Sequence, residues 1–298
     1  MITELPIKGF STPLENSVNN YPQSTNKNLP KLFMNALFVA SRGGSKTHTC
    51  VRLIKEYETT QLIDNDNIVH PLRVFLISPT VSANKIFNNL NSLHPDDIYE
   101  EYTEELFQSI IDDIDRTEEE VKQYKLYCDA YNLVKRTKSS KIIELLKRQP
   151  DIIDILETYD YQHPDEIDIR FKERPVNFIV LDDLMSSSAF SRKAESLLTY
   201  YLIRNRHKFI SFFILVQHIR ALAPAIRNNC NWFFIGKFCS YKYITDTLYE
   251  EVSNVLSEKE FVDLYLHSTA EKYGGLVIDN TGDEKRFYKS LDKELIIK

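Results

Sequence analysis

The sequence predicts an α/β protein with a mainly parallel sheet covered by helices on both faces. Three observations predict it. Apolar runs such as Phe178-Ile179-Val180-Leu181 and Phe212-Phe213-Ile214-Leu215-Val216 have no polar alternation, the pattern of strands buried on both sides. These runs alternate with stretches whose apolar residues recur at helical spacing. The first of them passes through a short glycine-containing loop straight into a helix, the order strand, loop, helix.

Taken in order, residues 1–30 are rich in Asn, Pro, Ser and Thr, lack a repeating apolar pattern, and read as an extended N-terminal arm. Residues 31–298 read as one domain, since 298 residues at 43% hydrophobic and 27% charged suffice for a full core. Leu32–Val39 is the first strand, and Val51-Arg52-Leu53-Ile54-Lys55 belongs to the helix after the loop. Arg73–Thr80 reads as the second strand, stopped by Pro79. Residues 84–172 are charged and helical in pattern, with Leu106, Ile110, Ile111 and Ile114 on one face and Ile142, Ile143, Leu145 and Leu146 further on. This is too long for a plain crossover and reads as a helical insertion between the second strand and the acid-bearing one. It is either a stabilising decoration or a lid or contact surface for neighbouring subunits. Asn177–Leu184 is the next strand, followed by a helical stretch over Ala194–Leu202, the basic run Arg204-Asn205-Arg206-His207-Lys208, and the strand Phe209–Gln217. Trp232–Lys237 and Gly275–Asn280 complete the set, with Phe287 and Tyr288 pairing beside the last.

The loop carries the chemistry. Ala40-Ser41-Arg42-Gly43-Gly44-Ser45-Lys46-Thr47 is a phosphate-binding loop (P-loop, Walker A) in all but its framing glycines, which Ala40 and Ser45 replace. In such a loop the backbone N–H groups of residues 41–47 and the helix N-terminus cradle phosphates, Lys46 reaches the β and γ oxygens, and the Thr47 hydroxyl ligates Mg²⁺. Val180-Leu181-Asp182-Asp183 has the form of the matching acidic strand (Walker B), with Asp182 in the Mg²⁺ shell and Asp183 polarising the attacking water. Gln217 ends a neighbouring buried strand and suits a contact to the γ-phosphate or that water; a surface amide capping the next turn is the other reading. ATP and Mg²⁺ are the expected cofactors of such a P-loop NTPase.

Composition narrows the class. The longest apolar runs fall short of the roughly 20 residues needed to span a bilayer, and Met1-Ile2-Thr3-Glu4-Leu5-Pro6 does not begin a signal peptide, so neither secretion nor a membrane span is expected. Cys50, Cys128, Cys230 and Cys239 lack metal-ligand spacing and read as free thiols in a reducing compartment; the seven histidines lack a metal pattern too. A net charge of −6 argues against a chain that coats nucleic acid over its whole surface but leaves room for a local basic track. The acids concentrate at Asp96-Asp97 through Glu118-Glu119-Glu120, whereas the basic run at 204–208, with Arg220 and Arg227, is expected beside the nucleotide edge of the sheet.

The ordered set Ser-Arg-Gly-Gly-Ser-Lys-Thr, Val-Leu-Asp-Asp, Arg-Asn-Arg-His before a strand ending in Gln, and Pro224-Ala225-Ile226-Arg227-Asn228-Asn229 resembles the genome-packaging ATPases of poxviruses and other nucleocytoplasmic large DNA viruses and virophages, a branch of the FtsK/HerA superfamily. The resemblance spans about residues 32 to 290. It implies an ATP-hydrolysing double-stranded DNA translocase that packages a viral genome, with Lys46 and Thr47 on phosphate and metal, Asp182 on the metal, Asp183 on the attacking water, Gln217 as sensor, and Arg227, or one of the pair Arg204 and Arg206, presented to a neighbouring subunit's nucleotide. It further implies a homo-oligomeric ring, a pentamer or hexamer, capsid or portal-vertex proteins as partners, and a place in the host cytoplasm, in the viral factory, or in the virion. Ala40 and Ser45, together with the long acidic helical region, depart from the pattern.

The loop also resembles that of the large terminases of tailed phages, which carry an arginine where this chain has Arg42; that resemblance implies a catalytic arginine acting within its own subunit. Those proteins follow the metal Asp with Glu where this chain has Asp183, and about 110 residues after Asp183 are too few for a further nuclease domain. The non-enzyme alternative is a nucleotide-binding, non-motor protein with a degenerate loop.

Overall fold

The computed structural model describes residues 20–184, 188–190, 196–250 and 256–296. Most of the arm expected at 1–30, and residues 194 and 195 of the expected helix, lie outside them.

The main sheet has nine strands: β2 (Asn35–Val39), β5 (Leu72–Ile77), β6 (Leu93–Tyr99), β7 (Val176–Asp182), β8 (Ile210–Val216), β9 (Trp232–Gly236), β10 (Gly275–Asp279), β11 (Arg286–Lys289) and β12 (Lys293–Leu295), in the order β12-β11-β10-β9-β2-β8-β7-β5-β6. The six strands from β9 to β6 are parallel, and β10 to β12 extend the sheet antiparallel. A small separate sheet joins β1 (Gln23–Ser24), β3 (Leu62–Ile63) and β4 (Val69–His70).

Side-chain alternation splits each central strand between two cores. Leu37, Phe75, Ile179, Phe212 and Phe233 face one way, under α2 (Glu104–Arg136) and α5 (Leu197–Arg204). Phe38, Leu76, Phe178, Phe213 and Trp232 face the other, under α1 (Lys46–Glu58). The strands are apolar on both sides because helices cover both sides. The fold is therefore the mainly parallel, doubly covered α/β arrangement that the sequence predicts.

At the amino edge of the strands a buried amide network sets the ends in place. Asn35 donates through Nδ2 to the carbonyls of Leu202 (3.0 Å) and Asn229 (2.8 Å), and Asn205 donates to the Phe33 carbonyl (2.6 Å). These bonds satisfy backbone groups that the chain buries where β2, α5 and the start of β9 meet.

Two differences from the sequence reading have physical causes. Residues 84–172, read as helical, contain β6, which holds the sheet's far edge. An edge strand needs neither alternation nor a continuous apolar run and tolerates Pro95, so its signal is absent from the sequence. Asp97, which the sequence shows only as one acid in an acidic stretch, is 1% exposed and receives Arg73 Nη2 at 2.6 Å, with Arg170 on its other side. Burial alone would raise its carboxyl, but the hydrogen bonds and charges of Arg73 and Arg170 outweigh that and hold it below its ordinary value. Arg73→Ala leaves this buried carboxylate short of its main partner and is expected to cost about 3 kcal/mol or more in urea unfolding. The Asp97 contribution is present above the ordinary carboxylate range and is lost as pH falls through its lowered folded value.

The rest of 84–172 is helical. α2 is followed by α3 (Ser139–Arg148) and α4 (Asp151–Glu157), and the outer half of α2 shares a small core of Tyr124, Tyr127, Ile152, Leu156 and Ile167 with α4. Among the described residues no helix is long and apolar enough to cross a membrane.

A candidate nucleotide site at the carboxyl edge of the sheet

Strand register brings the predicted residues to one level. β8 lies between β2 and β7, pairing Val39 with Val216 and Leu215 with Asp182. The loop after Val39, Gln217 after Val216, and the acids at the end of β7 therefore emerge side by side at the carboxyl edge, where open α/β sheets bind ligands. Gln217 Nε2 donates to Asp183 Oδ1 at 3.2 Å. Asp183 takes a left-handed φ of 55°, which turns the chain sharply out of the strand and leaves this carboxylate exposed beside its buried neighbour.

Lys46 opens α1 and folds back over the loop, donating to the carbonyls of Ala40 (2.8 Å) and Ser41 (3.3 Å). Burial lowers its pKa, opposed by the charges of Asp182 and Asp183, so the ammonium lies within the field of both acids. Asp182 is 4% exposed, and desolvation together with the Asp183 charge pushes its carboxyl up to about 6 against the opposing pull of Lys46 and Ser78.

The loop keeps its shape without the framing glycines. Ser45 takes a left-handed φ of 62°, a conformation glycine reaches freely and serine holds at a cost of roughly 1–2 kcal/mol. Its hydroxyl donates to the Tyr273 carbonyl at 2.9 Å, and that of Ser41 donates to the Lys237 carbonyl, also at 2.9 Å. Ala40 is fully buried, and its methyl fills space left by two glycines: a Cβ on Gly44 or on Gly236 would come within 2.7 Å or 2.5 Å of the Ala40 Cβ. Gly43, at φ 75°, supplies the remaining left-handed turn. The Ala40 substitution is thus accommodated from across the sheet by Gly236 at the end of β9.

The donor set fits a Mg²⁺-nucleotide. The Lys46 ammonium rests on carbonyls it can exchange for phosphate oxygens, and Asp182 offers a buried hard oxygen ligand within the field of that ammonium at the start of α1. Among the described residues no cluster of three or more His, Cys, Asp or Glu could hold a metal alone. A divalent ion here would share its coordination with phosphates, the usual condition of Mg²⁺.

Some predicted residues lie elsewhere. Arg42 is exposed on the loop's bend. Arg227 ends a short helix, Pro224–Arg227, and donates to the Leu222 carbonyl at 3.3 Å. Two residues later the Asn229 carbonyl accepts from Asn35 at the first residue of β2, so this helix ends toward the amino edge, away from its own loop. The basic run at 204–208 was expected beside the nucleotide edge; it precedes β8 and so belongs to the amino edge, at the strands' opposite ends. There Lys208 binds Asp115 at 2.6 Å and Arg204 lies over the Tyr200 ring. The direction of a parallel strand decides this, because residues before a strand and residues after it face opposite ends.

Two groups at the site escaped the sequence reading. Ser78, fully buried just past β5, reaches Asp182 Oδ2 at 3.5 Å and Thr80 Oγ1 at 3.2 Å. The polar pair Ser78 and Thr80 directly after an apolar strand was the available signal. Gly236 had none, since its role is a contact with Ala40.

No protein-family model matches the chain, and no curated protein matches it. Among solved structures it is similar to the genome packaging NTPase B204 from Sulfolobus turreted icosahedral virus 2 in complex with AMP, at 8% identity over 89% of this chain and 98% of that one, with a TM-score of 0.47. It is similar to the cytoplasmic domain of the Type VII secretion ATPase EccC from Thermomonospora curvata, at 11% identity over 93% of this chain and 30% of that one, TM-score 0.43. EssC (ATPases 2 and 3) from Geobacillus thermodenitrificans gives 14% identity over 76% and 35%, TM-score 0.39. The chemistry of this chain is read from the side chains of its own site.

Proposed function

We propose that the chain is an ATPase that drives double-stranded DNA into a viral capsid, working as a homo-oligomeric ring, a pentamer or hexamer, docked on capsid or portal-vertex proteins in the host cytoplasm or the virion. The observation that carries the reading is the alignment of Lys46, Asp182, Asp183 and Gln217 at one edge, with the Gln217 strand lying between the loop strand and the acid strand. Residues 31–298 form the ATPase domain, 84–172 its insertion, and 1–30 an arm.

Backbone N–H groups of residues 41–47 and the start of α1 hold the phosphates, and Lys46 exchanges the Ala40 and Ser41 carbonyls for β and γ oxygens. Thr47 and Asp182 would hold Mg²⁺, whose charge neutralises that developing on the phosphates. Asp183 accepts the proton of the water that attacks the γ-phosphorus as the bond to the β–γ bridging oxygen breaks. Gln217, held on Asp183, orients that water. Arg227 acts on the nucleotide of an adjoining copy. Arg42, exposed on the loop, is the alternative arginine within the same subunit.

The test is hydrolysis with and without duplex DNA. Stimulation by the duplex is expected; a nucleotide-binding, non-motor protein would show none. Asp183→Asn is expected to bind Mg-nucleotide as the unaltered protein does but to turn it over about 10²-fold or more slowly. Asp182→Asn should weaken binding itself, and equal effects of the two on affinity would contradict this division of roles.

A further inference from the structure

Positive charge gathers at one place remote from the nucleotide site. α2 begins beside the carboxyl edge after β6, covers the sheet with Phe107, Ile110, Ile111 and Ile114, and reaches the amino edge at Thr117, which accepts from Arg73 in the second position of β5 at 3.3 Å. From there to Arg136 it advances roughly 28 Å beyond the sheet. At that tip Lys135, Arg136, Lys138, Lys141, Lys147 and Arg148 are all exposed. The one acid among residues 135–148, Glu144, is bound to Arg148 at 2.6 Å. Nearer the sheet Asp113 pairs with Arg73 and Arg116, Asp115 with Lys208, and Glu118 with Arg174 and Lys122, while Glu119, Glu120 and Asp129 are exposed. On a chain of net charge −6 residues 135–148 are thus a local basic stretch, followed on α4 by the exposed acids Asp151, Asp154 and Glu157.

The apolar residues of α3 do not offer a membrane-binding face. Leu145 and Leu146, with Val134, rest against the small core of Tyr127 and Leu156, which leaves Ile143 exposed on α3, with Leu133 and Ile153 exposed singly on the neighbouring helices. A helix that lies in a bilayer interface needs a continuous apolar face. Exposed lysines and arginines that outnumber the scattered apolar side chains between them instead suit a polyanion whose charges are regularly spaced and whose sequence is not read.

We propose that this tip grips the phosphate backbone of double-stranded DNA, a proposal that rests on the reading of the chain as a DNA motor. The contact is sequence-independent, as translocation requires, and it places the grip on DNA at the sheet's amino side, opposite the nucleotide.

The experiment is fluorescence anisotropy of the full chain with a 30-base-pair duplex across a salt series, comparing Lys138→Gln/Lys141→Gln/Lys147→Gln with the unaltered protein. Each lysine that neutralises a phosphate contributes about 0.9 to the slope of log affinity against log salt, so the triple variant is expected to lose up to about 2.7 of slope and at least about tenfold in low-salt affinity. The charge-reversed Lys138→Glu/Lys141→Glu/Lys147→Glu should fall further, while thermal unfolding and DNA-free hydrolysis of both stay unchanged. Unaltered slope and affinity in both variants would overturn the proposal; if duplex still stimulates hydrolysis, the motor reading stands without it. Absence of duplex binding by the unaltered protein would overturn both. Loss of binding to phosphatidylserine vesicles with duplex binding intact would assign the tip to membranes and overturn it as well.

Discussion

Lys46→Ala is expected to abolish nucleotide hydrolysis, by about 10³-fold or more, in a protein that folds normally. The ammonium lies in the field of both Asp182 and Asp183, and removing a preorganised charge from a phosphoryl-transfer site costs on this scale. The fold is expected to hold because Lys46 stands half-exposed on the first turn of α1, bonds only the Ala40 and Ser41 carbonyls, and gives way to the best helix former. Two neutral-acceptor bonds to a charged donor are lost while a desolvated charge is relieved, so urea unfolding should shift by about 1 kcal/mol at most. Hydrolysis measured beside that unfolding curve checks both halves. Wild-type turnover in the variant would mean that the loop is not the site.

Arg227→Ala is expected to be nearly as damaging, by about 10³ to 10⁵ in rate, the range for an arginine that stabilises phosphoryl-transfer charge in a neighbour. Its helix ends toward the amino edge, held by the Leu222 carbonyl and followed by the Asn229 link to Asn35, so it does not converge on its own loop. Inactive Arg227→Ala subunits mixed with inactive Lys46→Ala subunits should regain part of the activity, because some interfaces then pair an intact loop with an intact arginine. Native mass measurement of the mixed assemblies shows whether subunits exchange. Exchange without recovered hydrolysis would reject Arg227 as the residue acting on a neighbour's nucleotide.

The chemistry-bearing residues were legible because each belongs to a short stretch with its own local grammar. Residues 40–47 are strand end, turn and helix start in one run, and Asp182, Asp183 and Gln217 each close an apolar strand. Hydrophobic periodicity is written along the chain, so the central strands and the sheet covered on both sides could be read from it. β6 could not, since an edge strand with Pro95 and paired acids carries no such period. Nor could the mutual fit of Ala40 with Gly44 and Gly236, which explains why the loop survives without its framing glycines.

The sequence by itself determined which side chains are the candidates for phosphate, metal and water, because those identities are local. Only the tertiary structure decided where they stand. Strand order put β8 between the loop and the acids, and strand direction sent the basic run at 204–208 to the amino edge. The long α2 carried six exposed basic residues beyond that edge. Such placements depend on pairings between segments far apart in the chain, which hydrogen-bond register and side-chain packing select only when the whole sheet forms.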